Sequence, residues 1–254
     1  MSASEQRPFR VIANSPLALE MFSLTLTPDD GKPMFSFVPG QWVGVRISHD
    51  PVPHRRAVAF SIASAPVEST HTIELAVKVY GSFSRLMQTL GAGDHVTIQG
   101  PFGVFTLNEW STSSPKESAL QSQNGLLVFF AGGIGITPLR SMIREVLLTQ
   151  TPRNILLFYS NRSPASIAYE EELRQLATSH SNFHVVFLLT GERSENWDGE
   201  NGRLDAAMFD RHVHDVSNAE CYMCGPRPFM DAIASLLVAK GVDVKTKLRK
   251  ELFG

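Results

Sequence analysis

Apolar and polar positions alternate through most of the first hundred residues. Ile73, Leu75, Val77 and Val79 interleave with Glu74, Ala76, Lys78 and Tyr80, the two-residue period of a strand with one face buried. The same grammar predicts strands at Phe9–Ala13, Glu20–Thr27, Gln41–Ser48, Val58–Ser64, Thr72–Tyr80 and His95–Gln99. Turn residues at Pro28–Gly31, Pro39–Gly40, Asp50–Pro53 and Gly91–Asp94 separate them. One helix, about Ser84–Leu90, interrupts the series. Six short strands at this spacing predict a small antiparallel β-barrel.

From Leu126 the pattern changes. Continuous apolar runs, Leu126–Ala131, Ile155–Tyr159, Phe183–Leu189 and Cys221–Cys224, alternate with helical periods at Pro138–Leu148, Ala168–Ala177, Asp205–His212 and Arg227–Lys240. Buried strands alternating with amphipathic helices predict an α/β doubly wound parallel sheet. Asn108–Gly125, rich in Ser and Gln, reads as a solvated linker. The expected organisation is therefore two domains: residues 1–107 as barrel, 108–125 as linker and 126–254 as the α/β domain.

Composition narrows the chemistry. The 254 residues are 43% hydrophobic and 19% charged with a net charge of −2, a globular balance that offers nothing to nucleic acid or an anionic membrane. The start, MSASEQRPFRV, has no basic-then-apolar leader, and the run Leu126–Ala131 is too short to span a bilayer. Two cysteines, Cys221 and Cys224, supply neither a disulfide framework nor four cluster ligands. No His/Cys/Asp cluster proposes a metal. The expected compartment is the cytoplasm.

The strand Leu126–Ala131 runs into Gly132-Gly133-Ile134-Gly135-Ile136-Thr137-Pro138 and then a helix. Glycines here let backbone N–H groups approach a pyrophosphate, and the helix start favours an anion. Pro138 suits the first helical turn, and Thr137 offers a cap or a phosphate contact. The bland alternative is a tight strand-to-helix turn that binds nothing. After the second strand comes Tyr159-Ser160-Asn161-Arg162-Ser163, without the carboxylate that holds ribose hydroxyls in NAD sites. Arg162 is a candidate 2′-phosphate ligand, which favours NADPH slightly over NADH. Glu192, after Thr190-Gly191, weighs the other way.

In the first half, Phe60-Ser61-Ile62-Ala63-Ser64 follows two arginines, and Gly81-Ser82-Phe83-Ser84 closes a strand and opens a helix. The second segment offers backbone N–H groups to an anion. In family order the chain carries seven blocks: Pro39-Gly40-Gln41-Trp42, Phe60 to Ser64, Gly81-x-x-Ser84, Gly100-Pro101-Phe102-Gly103, Gly132 to Pro138, Cys224-Gly225-Pro226 and Glu251-Leu252-Phe253-Gly254. In this the chain resembles the ferredoxin–NADP reductase superfamily nearly end to end.

The resemblance implies a role for each block. Phe60 would lie against the isoalloxazine of a bound FAD, and Ser61 would hydrogen-bond near its N5. Ile62, Ala63 and Ser64 would contact the flavin beside them, with Val77 and Val79 on the next strand. Gly81, Ser82, Phe83 and Ser84 would hold the flavin phosphates. Gly132, Gly133, Gly135, Thr137, Pro138, Gly225 and Pro226 would bind NADPH or NADH. Cys224 would sit beside nicotinamide C4, with Glu251 in a proton relay, and Phe253 would cover the flavin. In the family an arginine usually stands two residues before the aromatic; here that position is Val58. Arg56 shares the expected strand face but starts roughly 6–7 Å further along.

The implied activity is hydride transfer from NAD(P)H to bound FAD and then electron delivery to a separate acceptor, a protein such as ferredoxin or an oxygenase component or a small molecule, by a monomer. No four-cysteine segment occurs in the sequence, hence the separate acceptor. Two alternatives stand beside this one: a reductase of free, diffusible flavin, and a non-catalytic nucleotide-sensing or docking module.

Overall fold

The structure, a computed structural model, describes residues 6–48, 50–52, 56–107, 125–149, 153–191, 196–216 and 219–252. The linker expected at 108–125 lies, but for Gly125, outside them, as do Arg55, Glu192 and Phe253. The chain forms two compact units, one made of the barrel together with Arg140–Thr149 and the other of the parallel sheet and its loops.

In the first unit, strands β1 (Gln6–Ala18), β2 (Met21–Pro28), β3 (Trp42–Arg46), β4 (Val58–Ser61), β5 (Ile73–Lys78) and β6 (His95–Phe102) form one antiparallel sheet in the order β4-β3-β6-β1-β2-β5. The sheet curls until its outer strands meet at an isolated Ile62–Leu75 bridge. The alternating apolar positions fill its interior: Phe9, Leu24, Val43, Ile62, Leu75, Val77 and Ile98 are all at most 1% exposed. Burial of such side chains contributes roughly 1.5–3 kcal/mol each. Helix α1, Ser82–Gln88, follows β5 and packs Phe83 and Met87 on this core. Asn14 donates its side-chain amide to the Gln88 and Leu90 carbonyls at the end of α1.

The pattern marks only Phe9–Ala13 for the first strand, whereas β1 is 13 residues long. Its second half, Ala13–Ala18, has no buried position and pairs with β2 through register shifts at Val11/Ala13 and Pro16/Ala18. Such shifts break the two-residue period that identifies a strand. Conversely β4 ends at Ser61, not Ser64.

The second unit holds β7 (Leu126–Gly132), β8 (Asn154–Asn161), β9 (Phe183–Leu189), β10 (Glu200–Asn201), β11 (Glu220–Gly225) and β12 (Leu248–Leu252), all parallel, in the order β10-β9-β8-β7-β11-β12. Helices α2 (Ile136–Leu148), α3 (Glu170–Ser179), α4 (Ala206–His212) and α5 (Arg227–Ala239) connect them. Phe130, Phe158 and Phe209 stack at 5.5–6.4 Å in its core. The chain winds outward from β7 in one direction and then returns to place β11 on the other side. That reversal puts the topological switch point at the carboxyl ends of β7 and β11, where open α/β sheets bind ligands. β12 has no counterpart in the hydrophobic pattern, because Leu-Arg-Lys-Glu-Leu is an edge strand with most positions exposed.

Candidate functional site: a flavin strand and a nucleotide loop

In the barrel, β3 holds the candidate flavin strand. Trp42 pairs with Ser61 and Val43 with Phe60. Ser61 is 3% exposed, while Phe60 is half-buried and stacks on Phe83 at 6.2 Å and 20°. Gln41 fixes the approach: its Oε1 accepts from Val38 N, its Nε2 donates to Gly103 O, and its own carbonyl accepts from Ile62 N. The Pro39 to Trp42 and Gly100 to Gly103 blocks thus meet around this one side chain. Ser64 Oγ accepts from Glu74 N at 3.1 Å and Ser69 Oγ at 2.9 Å.

The Ser84 hydroxyl organises the turn into α1, accepting from Tyr80 N and Gly81 N and donating to Gly81 O. Gly81 is extended, and a Cβ there would meet nothing within 4 Å. Beside this open space Tyr80, on the outward set of the alternating positions, exposes 90% of its surface. An open backbone turn flanked by a bare aromatic ring and a half-buried Phe60 suits a flavin nucleotide: a planar ring, a phosphate and a second aromatic base.

Some expected contacts take a different form. Val77, Ile62 and Ala63 are fully buried, the first two in the barrel core, so only their backbone can meet a ligand. Val79 is half-buried and packs on that core. Arg56 is exposed and precedes β4, so strand alternation does not set where it points.

In the second unit, the loop after β7 sits at the switch point. Gly133 has φ +55°, with open space where a Cβ would be. At Gly135 a Cβ would stand 2.2 Å from the Cys224 carbonyl oxygen, so only glycine lets this loop close on β11. The Thr137 hydroxyl, 1% exposed, donates to Ile134 O at 2.7 Å; it braces the loop from within. Pro138 lies in the first turn of α2 as expected. Gly225 and Gly132 approach each other, and Pro226 leads into α5. A strand-to-helix loop with an open left-handed glycine is a fit for a dinucleotide pyrophosphate.

Cys224 lies between Ala131 of β7 and Glu251 of β12 in the ladder. Both cysteines are 0% exposed. Burial pushes the Cys221 thiol up to about 12, and burial plus the Glu251 carboxylate push Cys224 higher still, so both are neutral S–H groups. Arg162, exposed at the end of β8, accepts Gly191 N on its carbonyl at 3.1 Å. A Cβ on Gly191 would stand 2.6 Å from that oxygen.

The known proteins agree with this anatomy. An oxidoreductase FAD-binding domain matches residues 11–107 and an oxidoreductase NAD-binding domain residues 129–235. The glycine betaine monooxygenase reductase subunit of Pseudomonas aeruginosa is 31% identical over 225 residues, 87% of this chain and 57% of that protein. The propane 2-monooxygenase reductase component of Rhodococcus jostii is 29% identical over 91% of this chain and 60% of its own length. This chain therefore spans little more than half of these relatives. The flavohem-like FAD/NAD binding domain of the nitric oxide dioxygenase from Vibrio cholerae superposes with a TM-score of 0.81 at 23% identity, covering 98% of both chains.

Fold, loops and domain matches together define an oxidoreductase with one flavin-binding and one nicotinamide-nucleotide-binding domain. The chain belongs to the ferredoxin–NADP reductase superfamily.

Proposed function

We propose that this chain is the reductase of an electron-transfer system. It takes reducing equivalents from NADPH in preference to NADH and delivers them to a separate acceptor protein, an oxygenase component, in the cytoplasm where the nicotinamide pool is maintained. The observation that carries the reading is the pairing of an open left-handed glycine at the switch point of one unit with an open phosphate turn beside an exposed aromatic in the other. The monooxygenase reductases among its relatives support the choice of acceptor.

A bound FAD would supply the chemistry of accepting a hydride and releasing electrons singly or in pairs. The protein supplies place and environment. Phe60 gives the isoalloxazine a flat apolar wall, and Ser61 offers a hydroxyl at the hydride-receiving edge. The Gly81–Ser84 turn and Arg56 take the flavin phosphates, and Tyr80 offers a face to the adenine. Gly132 to Pro138, with Gly225 and Pro226, hold the nicotinamide dinucleotide. Cys224, its thiol buried and protonated, and Glu251 stand beneath the nicotinamide end of the site. The working form is a monomer.

The test is the absorption spectrum of the purified protein with its released flavin identified. Flavin bands, FAD on release and dye reduction by NADPH are expected. Colourless protein that FAD does not reconstitute, yet which reduces added riboflavin with NADPH, would move the assignment to a diffusible-flavin reductase. Val58, in place of the usual arginine, is the residue that favours that second reading.

A further inference from the structure

Helix α2 carries a polar face into the interior of the barrel unit. Arg140, Ser141 and Glu145 are 6%, 0% and 6% exposed, and their spacing puts them on one side of the helix. Buried polar groups are costly unless each is satisfied. Partners for all three lie on the segment that follows β4. Arg140 Nη1 donates to Ala63 O at 2.8 Å and to Glu74 Oε2 at 3.2 Å. Ser141 Oγ donates to Ser64 O at 2.7 Å. Glu145 Oε2 accepts from Val67 N at 2.9 Å. One turn along, Arg144 pairs with Glu68.

The segment needs such help because the ladder of β4 stops at Ser61. Beyond it, Ile62 makes one isolated bridge, and Ala63 N donates to Glu74 O at 2.8 Å. A closed ring results. Ala63 gives its N–H to the Glu74 backbone, its carbonyl takes the Arg140 guanidinium, and the Glu74 carboxylate holds that guanidinium in turn. Donors from a helix replace the missing strand at Ala63 and Ser64.

We propose that Arg140 and Ser141 are positioning residues for hydride transfer. They fix the Ala63–Ser64 backbone and so hold Ser61, two residues upstream, where the bound flavin is reduced. This rests on the reductase reading above. Reacting groups misplaced by about 1 Å lose on the order of a hundredfold in rate, so a loosened segment slows chemistry before it weakens nucleotide binding.

The test uses the full chain with Arg140→Met, Arg140→Lys and Ser141→Ala. In flavin-free protein, Arg140→Met is expected to speed amide hydrogen exchange at Ala63, Ser64 and Ala65 by about tenfold or more while β1 and β2 keep their protection. In flavin-loaded protein, reduction at saturating NADPH falls by about tenfold or more, with the nucleotide KM changed by less than about threefold. Arg140→Lys keeps a cationic donor and restores a large part of both. Ser141→Ala shifts both readouts in the same direction by less, and decides the matter if Arg140→Met does not fold. Unchanged exchange at those amides in a native-like variant overturns the proposal, as does a rate loss matched by an equal rise in KM. If the unaltered protein binds flavin but does not oxidise NADPH, the reductase reading fails, and the positioning role fails with it. Unchanged exchange in a competent reductase defeats the positioning role alone.

Discussion

At the scale of single residues, Ser61 and Cys224 bear the proposed hydride path. Ser61→Val and Cys224→Val are each expected to slow flavin reduction by about tenfold or more while leaving the nucleotide KM nearly unchanged, the mark of a contact made in the transition state. Cys221→Ala is the control, since that thiol faces the core of the parallel sheet with Met223 and Phe130. Stopped-flow rates equal to those of the unaltered protein in both variants would remove the two residues from the path. Arg162 is the residue proposed to set the nucleotide preference. A charge-assisted contact with a 2′-phosphate contributes roughly 1.5–3 kcal/mol, so Arg162→Ala should lower the NADPH/NADH ratio of kcat/KM by about ten- to a hundredfold. An unmoved ratio would show that Arg162 does not read the phosphate. At Gly191 a Cβ would stand 2.6 Å from the Arg162 carbonyl oxygen, so any larger residue there would displace the backbone that carries Arg162.

At the scale of elements, the sequence shows what repeats and hides what is shared. Strand β5 and the β7 loop are legible because one period or one glycine pattern identifies each. The second half of β1 and the edge strand β12 are not, because bulges and two-sided exposure erase the period. Helix α2 is legible as a helix after a nucleotide loop. Its Arg140-Ser141 and Arg144-Glu145 pairs carry no signal in the pattern, although three of those four side chains are buried; their partners lie more than 60 residues away. Glu145 gives this face a dependence on pH. Burial raises its carboxyl above the ordinary value of 4.5, the Glu68 carboxylate adds to the rise, and the Val67 N–H opposes it. A raised carboxyl contributes stability that is present below the unfolded value and lost as pH rises through the folded one. Glu145→Gln keeps an acceptor for Val67 and removes the charge. Its Tm should exceed that of the native protein at pH 8, and the two should converge as the pH falls toward 4.5. A Tm difference that does not change between those pH values would count against the assignment.

At the scale of the whole molecule, the two sheets are separate in sequence, but the two units are not. Among the described residues the last barrel strand ends at Phe102, yet Arg140–Thr149 groups with the barrel after the chain has already laid down β7. Residues 1–107 produced alone should therefore form the sheet with a poorly protected Ala63–Ser64 segment and retain flavin weakly. Adding a synthetic peptide of residues 136–149 is expected to restore part of that retention, as measured by flavin fluorescence; no gain at millimolar peptide would refute it. The order of synthesis has a stake in this arrangement. A ribosome makes roughly 5–20 residues each second and domains fold as they emerge. The nascent barrel must wait several seconds, through the stretch between its last strand and α2, before the donors for Ala63 and Ser64 leave the exit tunnel. During that interval the carbonyls of Ala63 and Ser64 must rely on water, and the segment after β4 is secured only once α2 has emerged.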